Sequence, residues 1–196
     1  IGKFFLRNLT ILEFGVFELN YEKFKMININ LKVEILKKIL VTCSGTIYPP
    51  RLKSLKILIR KILNYDMCNS TLHGCMIKKI KTKIIFFKEF KNIKKKHNDV
   101  CINAGESFHW DNRFRIYSKK KIFCKIINDD KWLSLKSNYQ KLKDTKGIAY
   151  EVLKTLPLIR LEEEKIIPFL LPKEYLKRKG IELYFEALIP LSKKNF

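Results

Sequence analysis

The feature that most constrains the fold is a change in the spacing of apolar residues near residue 68. Between residues 31 and 64, apolar side chains recur every three or four positions, once before Gly45 and again after Pro49-Pro50. This spacing predicts two amphipathic helices. Gly45 suits the left-handed end of the first helix, and the prolines suit the first turn of the second. We therefore expect a helical hairpin with a basic exterior.

After residue 68, short β-rich segments replace the helical spacing. Lys81 separates two such segments, TLHGCMIKKI and TKIIFFKEF, which predict a hairpin. Further strand candidates include Ile166–Leu171 and Glu182–Ile189, whereas Leu135–Gly147 is polar and ambiguous. The pattern predicts an α+β fold. A helical region at 1–66, with substrate-binding helices, would precede a mostly antiparallel β-rich domain at 67–196. The mixed first thirty residues leave a helix and an irregular lead-in equally open.

The charge of the chain points to a polyanionic partner. The formal net charge is +22, which favours nucleic acid. Lysine outnumbers arginine 34 to 7, alongside many Ile, Asn and Phe residues, and AT-rich codons produce such a profile without selection for binding. Arginine is therefore the better signal, because its planar fork binds phosphate in a bidentate way and stacks on bases.

Six basic residues are the candidates for contact with nucleic acid. They are Arg51, Arg60, Lys79, Lys81, Arg113 and Arg115. The two lysines belong to the stretch 78–96, where nine lysines accompany the single acid Glu89. The phenylalanines of this stretch either stack on bases or fill the core beneath a lysine-covered face. The sequence leaves both readings open.

The stretch Trp110–Arg115 predicts a tight turn that leads into a strand. Asp111-Asn112 is good turn chemistry, and alternation then puts Arg113 and Arg115 on the face opposite Phe114. Two adjacent arginines on an exposed sheet face would form a small anion receptor. The alternative is a surface ion pair between Arg113 and a nearby acid, Asp111 or Glu106.

No catalytic, cofactor-binding or metal-binding residue is assigned. CSGTIYPPR follows a helix and has one glycine and two prolines, so it predicts a helix cap rather than a phosphate loop. The spacing of Cys68, His73 and Cys75 lacks the paired knuckle of a structural zinc site. The run 162–164 of three glutamates is typical of a solvated turn, since acid–base catalysis needs carboxylates that converge from separate elements.

The cysteines and the apolar runs indicate a cytoplasmic protein without a membrane segment. Five irregularly spaced cysteines favour a reducing compartment. No apolar run approaches the roughly 18–20 residues that span a bilayer, and no signal peptide is recognisable. The chain begins with Ile rather than Met, so we expect it to be the tail of a longer protein.

Several short motifs occur in an order that resembles a known enzyme family. They are IYPPR at a helix start, TLHGC at a strand start, then HWDNRF and LKTLPLI. This order resembles the C-terminal half of tRNA(Ile)-lysidine synthases, particularly the shorter alphaproteobacterial type, over roughly residues 31–172. His73 and Asn112 stand where the family tends to have glycine. Asn112 can keep a left-handed turn, whereas His73 suggests a position that does not strictly need positive φ.

The resemblance implies a tRNA partner and a reaction whose machinery lies outside this chain. The family uses ATP and magnesium, bound by an N-terminal domain with a Ser-Gly-Gly-x-Asp-Ser loop, to join lysine to cytidine 34 of a CAU anticodon. That loop is absent here. The resemblance therefore implies the tRNA-binding part of a ligase, inactive alone and lacking its nucleotide-binding domain. A stand-alone basic module for RNA or DNA, and an interaction domain whose lysines reflect codon bias, remain alternatives.

Overall fold

The computed structural model of the protein describes residues 1–64, 69–94, 99–127 and 150–191. The chain folds into two compact units. The first comprises Ile1–Glu89 together with the segment that begins at Glu186, and the second is Phe90–Phe185. Both units combine short helices with antiparallel sheets, which confirms the α+β prediction.

Among its described residues, the first unit contains four helices, two of which form the predicted hairpin. They are α1 (Gly2–Asn8), α2 (Tyr21–Met26), α3 (Ile29–Ser44) and α4 (Leu52–Leu63). The Asn28 side chain caps the start of α3 by accepting a hydrogen bond from the backbone N–H of Leu31 at 2.9 Å. Gly45 ends α3 with φ of 64° and donates its N–H to the Val41 carbonyl. The predicted left-handed cap is thereby confirmed.

One antiparallel sheet completes this unit. Its strands are β1 (Leu9–Leu12), β2 (Val16–Asn20), β3 (Asn69–Leu72), β4 (Cys75–Ile80) and β5 (Lys83–Lys88), in the order β1-β2-β5-β4-β3. Phe17 pairs with Phe86 where β2 meets β5, and both side chains are fully buried. The inner face of α3 contributes Ile35, Leu36, Ile39 and Leu40 to the core.

The sheet changes two expectations from the sequence. The first thirty residues supply β1 and β2, and β2 pairs with β5 from beyond residue 80. The predicted boundary between 66 and 67 therefore does not coincide with the division after Glu89. The hairpin around Lys81 is confirmed. His73, however, adopts φ of 56° beside Gly74 in a second tight turn, so the inference that this position does not need positive φ is wrong.

The described part of the second unit contains two smaller antiparallel sheets. Its strands are β6 (Val100–Ile102), β7 (Ser107–Trp110), β8 (Phe114–Ser118), β9 (Ile122–Lys125), β10 (Leu158–Leu161), β11 (Glu164–Ile166) and β12 (Ile181–Phe185). One sheet has the order β11-β10-β9-β6 and the other β12-β8-β7. The helices are α5 (Phe90–Lys94), α6 (Tyr150–Leu153), α7 (Lys173–Lys179) and a 3₁₀ turn at Pro168–Leu170.

Several predicted elements are shorter than their apolar patterns. The strand expected at 166–171 ends at Ile166, because Pro168 cannot donate to a ladder and instead opens the 3₁₀ turn. The last strand stops at Phe185 rather than Ile189. The ambiguous stretch 135–147 lies outside the described residues.

Across the described ranges, no helix has the length and apolarity needed to cross a membrane.

Candidate nucleic-acid interface

The outer face of α4 carries a cluster of cations around exposed Ile57. Leu55, Leu58, Ile59 and Ile62 face the core, so the helical period leaves Lys53, Lys56, Arg60 and Lys61 exposed on the other side. Arg51, also exposed, occupies the N-cap position directly after Pro49 and Pro50. We call these five residues (Arg51, Lys53, Lys56, Arg60 and Lys61) the α4 basic face.

The α4 basic face has no acidic counterpart in the part of the chain that the structure describes. The helix sequence LKSLKILIRKIL contains no acid, and no described carboxylate lies within 4.0 Å of its cations. Lys56 and Arg60 are four residues apart, a spacing at which like charges destabilise a helix. Arg60 and Lys61 are favourable in the last turn, but Lys53 lies at the positive end of the helix dipole. Folding alone does not explain this arrangement.

A network of polar side chains fixes the loop that leads into α4. Ser44 Oγ and Thr46 Oγ1 are 2.6 Å apart, and Thr46 Oγ1 lies 2.6 Å from His73 Nε2. The buried ammonium of Lys88 donates to the Ser44 carbonyl at the end of α3. Burial lowers the pKa of His73, opposed by a hydrogen bond to the Tyr48 backbone and reinforced by the Lys88 charge. The network holds the loop before Arg51 against the sheet.

The two candidate lysines have different environments. The Lys79 ammonium lies 3.6 Å from the centroid of the Tyr21 ring and donates to the Ile62 carbonyl at 3.4 Å. Lys79 is therefore half-buried and ties β4 to the end of α4. Lys81 is exposed in the turn between β4 and β5, with φ of 51°. Only Lys81 presents its charge fully to solvent.

Arg113 does not face solvent, contrary to the sequence prediction. Its side chain is 0% exposed, and its Nε lies 2.8 Å from Asp111 Oδ2. Its Nη2 donates to the Thr155 carbonyl at 3.4 Å, and its guanidinium lies 4.8 Å from the Phe114 ring centroid. The expected pair with Asp111 exists, but it is a buried pair and not a surface one. Arg113 therefore stabilises the turn and is removed from the candidate contacts.

Arg115 is exposed on the outer face of β8, as predicted. It is paired across the sheet with His109 on β7 and with Tyr184 on β12. The opposite face of this sheet buries Trp110, Phe114 and Ile116. Asn112 keeps the expected left-handed turn with φ of 58°, and Asp111 shares it with φ of 54°.

The phenylalanines of the 78–96 stretch belong largely to the core. Phe86 and Phe87 are buried, which supports the structural reading for both. The Lys78 ammonium lies 5.4 Å from the Phe87 centroid. Lys95 and Lys96 lie outside the described residues. This stretch therefore does not offer Phe86 or Phe87 for stacking on bases.

Three features bear on the chemistry that the sequence left unassigned. The described residues contain no group of three or more His, Cys, Asp or Glu side chains that could hold a metal ion, and Cys68 is outside the described ranges. The cap at Ser44-Gly45 confirms the turn reading of CSGTIYPPR. Glu162 and Glu163 are exposed in the turn between β10 and β11, as the glutamate run predicts.

Some candidate residues were not singled out by the sequence. The sequence predicts that the outside of the helix carries Lys53, Lys56 and Lys61. Lysine is so abundant in this chain that their clustering alone does not indicate a site. Arg160 on β10 was also missed. It is one of only seven arginines, and that rarity is the signal that could have found it.

Comparison with curated proteins identifies relatives with one shared name. Over 164 residues, 81% of this chain, it is 29% identical to tRNA(Ile)-lysidine synthase of Rickettsia akari (strain Hartford), of which it covers 37%. It is 30% identical over the same length to the enzyme of Rickettsia rickettsii (strain Sheila Smith), covering 34%. The protein of that name from Rickettsia bellii (strain RML369-C) is 27% identical over 165 residues, with 38% covered.

No protein-family profile matches the chain, and no solved structure matches it. The chain spans about a third of the length of the curated relatives it matches. The motifs that predicted the resemblance fall within a sequence similarity that covers four-fifths of the chain. The predicted resemblance is thereby confirmed: most of this chain is similar to one segment of the tRNA(Ile)-lysidine synthases of several Rickettsia species.

Proposed function

We propose that this chain is the C-terminal, tRNA-binding part of a lysidine-forming ligase. In this proposal it holds the tRNA while another part of the enzyme joins lysine to cytidine 34 of the CAU anticodon. The candidate contacts are Arg51, Arg60, Lys81 and Arg115, to which the structure adds Lys53, Lys56 and Lys61. Lys79 has a structural role and at most a supporting one in binding.

The α4 basic face is the observation that carries this proposal. Five cations lie on and beside one helix, with no described carboxylate to neutralise them. Cations clustered on one face of a helix suit the closely spaced charges of a nucleic-acid backbone, where phosphate contacts supply affinity and fix orientation without reading sequence. Such contacts suit a surface that holds the body of a tRNA while a single base is modified elsewhere.

The named relatives favour tRNA over other polyanions. Their shared name specifies an isoleucine tRNA, and the ordered motifs lie in the same part of this chain. The competing function is a stand-alone basic module, favoured by the net charge of +22 alone. Such a module would bind any nucleic acid of similar charge density.

The chemistry is proposed to come from a nucleotide-binding domain outside this chain. The loop between α3 and α4, the nearest approach to a phosphate loop, ends in two prolines that lack donors. In this proposal ATP and magnesium bind to that other domain, as the family resemblance implies. We therefore expect the isolated chain to bind tRNA without modifying it.

Binding titrations over a salt series test the proposal. We expect Lys56→Gln/Arg60→Gln to weaken tRNA binding roughly 30-fold, since each phosphate contact contributes about 1 kcal/mol. The slope of log K against log salt should fall by about two, one for each lost contact.

Paired lysines of the same unit provide the control. Lys37 lies 3.4 Å from Glu34, and Lys83 pairs with Glu18 at 2.5 Å. Lys37→Gln/Lys83→Gln removes the same charge from places that the proposal does not use, so it should change affinity less than threefold. Equal losses in both double variants would refute a defined site. Equal affinity of the wild type for an isoleucine tRNA, an unrelated RNA duplex and a single strand would instead support the stand-alone module.

A further inference from the structure

A second group of cations surrounds one aromatic ring on the four-stranded sheet of the second unit. The strand register places Cys101, Phe123, Arg160 and Lys165 side by side on β6, β9, β10 and β11. Most of their neighbours along the strands are buried, including Ile122, Cys124 and Ile159. Because side chains alternate between faces, the row lies on the outer face of the sheet.

Phe123 holds two cations close to its ring. The Arg160 guanidinium carbon is 4.6 Å from the ring centroid, and the Lys121 ammonium is 5.7 Å from it. Both distances are within the range of a cation–π contact. A contact at this distance restricts the Arg160 side chain, so less side-chain freedom is lost when its guanidinium binds a ligand. We call Lys121, Phe123, Arg160 and Lys165 the Phe123 cluster.

The charges of the Phe123 cluster have no acidic partner among the described residues. Three of the nearby acids are bound to other cations: Glu162 to Lys120 at 3.3 Å, Glu164 to Lys179 at 2.7 Å, and Asp99 to Lys125 at 4.0 Å. Glu163 is exposed in the turn between β10 and β11. No described carboxylate lies within 4.0 Å of Lys121, Arg160 or Lys165. The cluster therefore has a local excess of positive charge.

The register makes this excess costly for folding. Arg160 and Lys165 are directly opposite each other on β10 and β11, and like charges at such positions destabilise a sheet. An anion bound between them would remove the repulsion. Adjacent strands are about 4.8 Å apart, so both side chains can reach the same phosphate or two neighbouring ones.

We propose that the Phe123 cluster is a second phosphate-binding site, which contacts the RNA backbone through Arg160 and Lys165. Phe123 is a positioning residue, because it acts by orienting the guanidinium and its ring is already occupied by two cations. The ligand class is a backbone phosphodiester and not a stacked base. The identity of the RNA as tRNA rests on the proposed function, whereas the anion site itself does not.

The decisive variants act on Lys165, because the charge repulsion predicts opposite effects on stability and binding. Lys165→Gln should raise the urea midpoint of unfolding by roughly 0.1–0.5 M, and Lys165→Glu should raise it further. The same variants should weaken tRNA binding by about five- to tenfold and by more than tenfold, respectively. A residue with only a structural role would not shift the two quantities in opposite directions.

Two further variants test the arrangement around the ring. Arg160→Lys keeps the charge but loses the planar fork, and Phe123→Leu keeps an apolar side chain but loses the ring. Each should weaken binding at least threefold with an unchanged far-UV circular dichroism spectrum. Lys120→Gln is the matched control, because Lys120 is similarly exposed but is paired with Glu162, and its affinity should remain within twofold of wild type.

A titration with inorganic tripolyphosphate separates this inference from the proposed function. The Nε–H signal of Arg160, assigned by its loss in Arg160→Lys, should shift on addition of tripolyphosphate in wild type and not in Lys165→Glu. A shift in a chain that does not bind tRNA would leave the anion site standing and overturn the tRNA proposal. Absence of a shift, or full tRNA affinity in Lys165→Glu, would overturn the Phe123 cluster even if α4 variants abolish binding.

Discussion

The buried pair of Arg113 and Asp111 makes a strong prediction about stability. The Arg113 side chain is fully buried, 2.8 Å from Asp111 and in reach of the Thr155 carbonyl. Arg113→Ala leaves the Asp111 carboxylate buried without this partner, a change that typically costs 3–5 kcal/mol. We therefore expect a loss of about 4 kcal/mol in the free energy of unfolding.

Urea unfolding followed by the fluorescence of Trp110 provides the assay, with Trp132→Phe as the common background. Arg115→Ala is the matched control, because Arg115 is an exposed arginine two residues away, and surface substitutions usually change stability by less than 0.5 kcal/mol. The m-value must stay constant for the midpoints to report stability alone.

A double variant tests whether the loss arises because the Asp111 charge is buried without Arg113. Asp111→Asn/Arg113→Met removes both charges, and Asn keeps a side chain that tolerates the left-handed turn. It should recover at least 1 kcal/mol relative to Arg113→Ala. A loss below about 1 kcal/mol in Arg113→Ala, at constant m, would refute the buried-pair account.

Three other predictions concern the second unit. Gly180→Ala should lower the free energy of unfolding by about 1–2 kcal/mol in urea, because Gly180 has φ of 76° and a Cβ there would lie 3.0 Å from the Lys119 Cβ. Gly105→Ala is the control, since Gly105 has φ of 82° with open space around it, and it should lower stability by less. Equal losses would show that contact with Lys119 makes no contribution. Hydrogen bonds, first from Lys179 and then from Tyr175, lower the pKa of Glu164. Their contribution to the free energy of unfolding is therefore present above the ordinary pKa of about 4.3 and should be lost as the pH falls through the lowered pKa. Glu164→Gln should lose this part of the pH dependence, as measured by urea titration at each pH. Burial raises the pKa of Cys124 to about 12, so alkylation at neutral pH, mapped by mass spectrometry, should modify exposed Cys101 and spare Cys124; equal labelling would contradict the buried position.

The helical hairpin could be predicted because its signals are local. The apolar stripes of α3 and α4 and the cap at Gly45 depend on residues a few positions apart. The strands β1 and β2 could not be predicted in the same way. They are only four and five residues long, and β2 finds its partner β5 more than sixty positions later.

The error at Arg113 also has a physical cause. Trp110 pairs directly with Phe114, so residues 111–113 form the connection and lie outside the ladder. Alternation therefore applies from Phe114 onward and says nothing about Arg113. The prediction for His73 was wrong because a residue other than glycine can also adopt positive φ. His73 does so in a left-handed turn next to Gly74, and its side chain is hydrogen-bonded to Thr46.

The candidate contacts were predictable only in part. The rarity of arginine made Arg51 and Arg60 candidate contacts from the sequence. The lysines near them became candidates only because the structure shows them on one face of α4 with no acid nearby. The Phe123 cluster depends on the register of four strands from distant parts of the sequence. The strand register therefore could not be predicted from any short stretch of the sequence.

The central claim is tested most directly by the salt dependence of tRNA binding in a variant that neutralises the four cations of the α4 basic face that lie within the helix. In Lys53→Gln/Lys56→Gln/Arg60→Gln/Lys61→Gln, we expect log K against log salt to lose about four from its slope, with the helical content retained. A slope equal to that of the wild type, in a variant that remains folded, would show that tRNA is held elsewhere and would contradict the account.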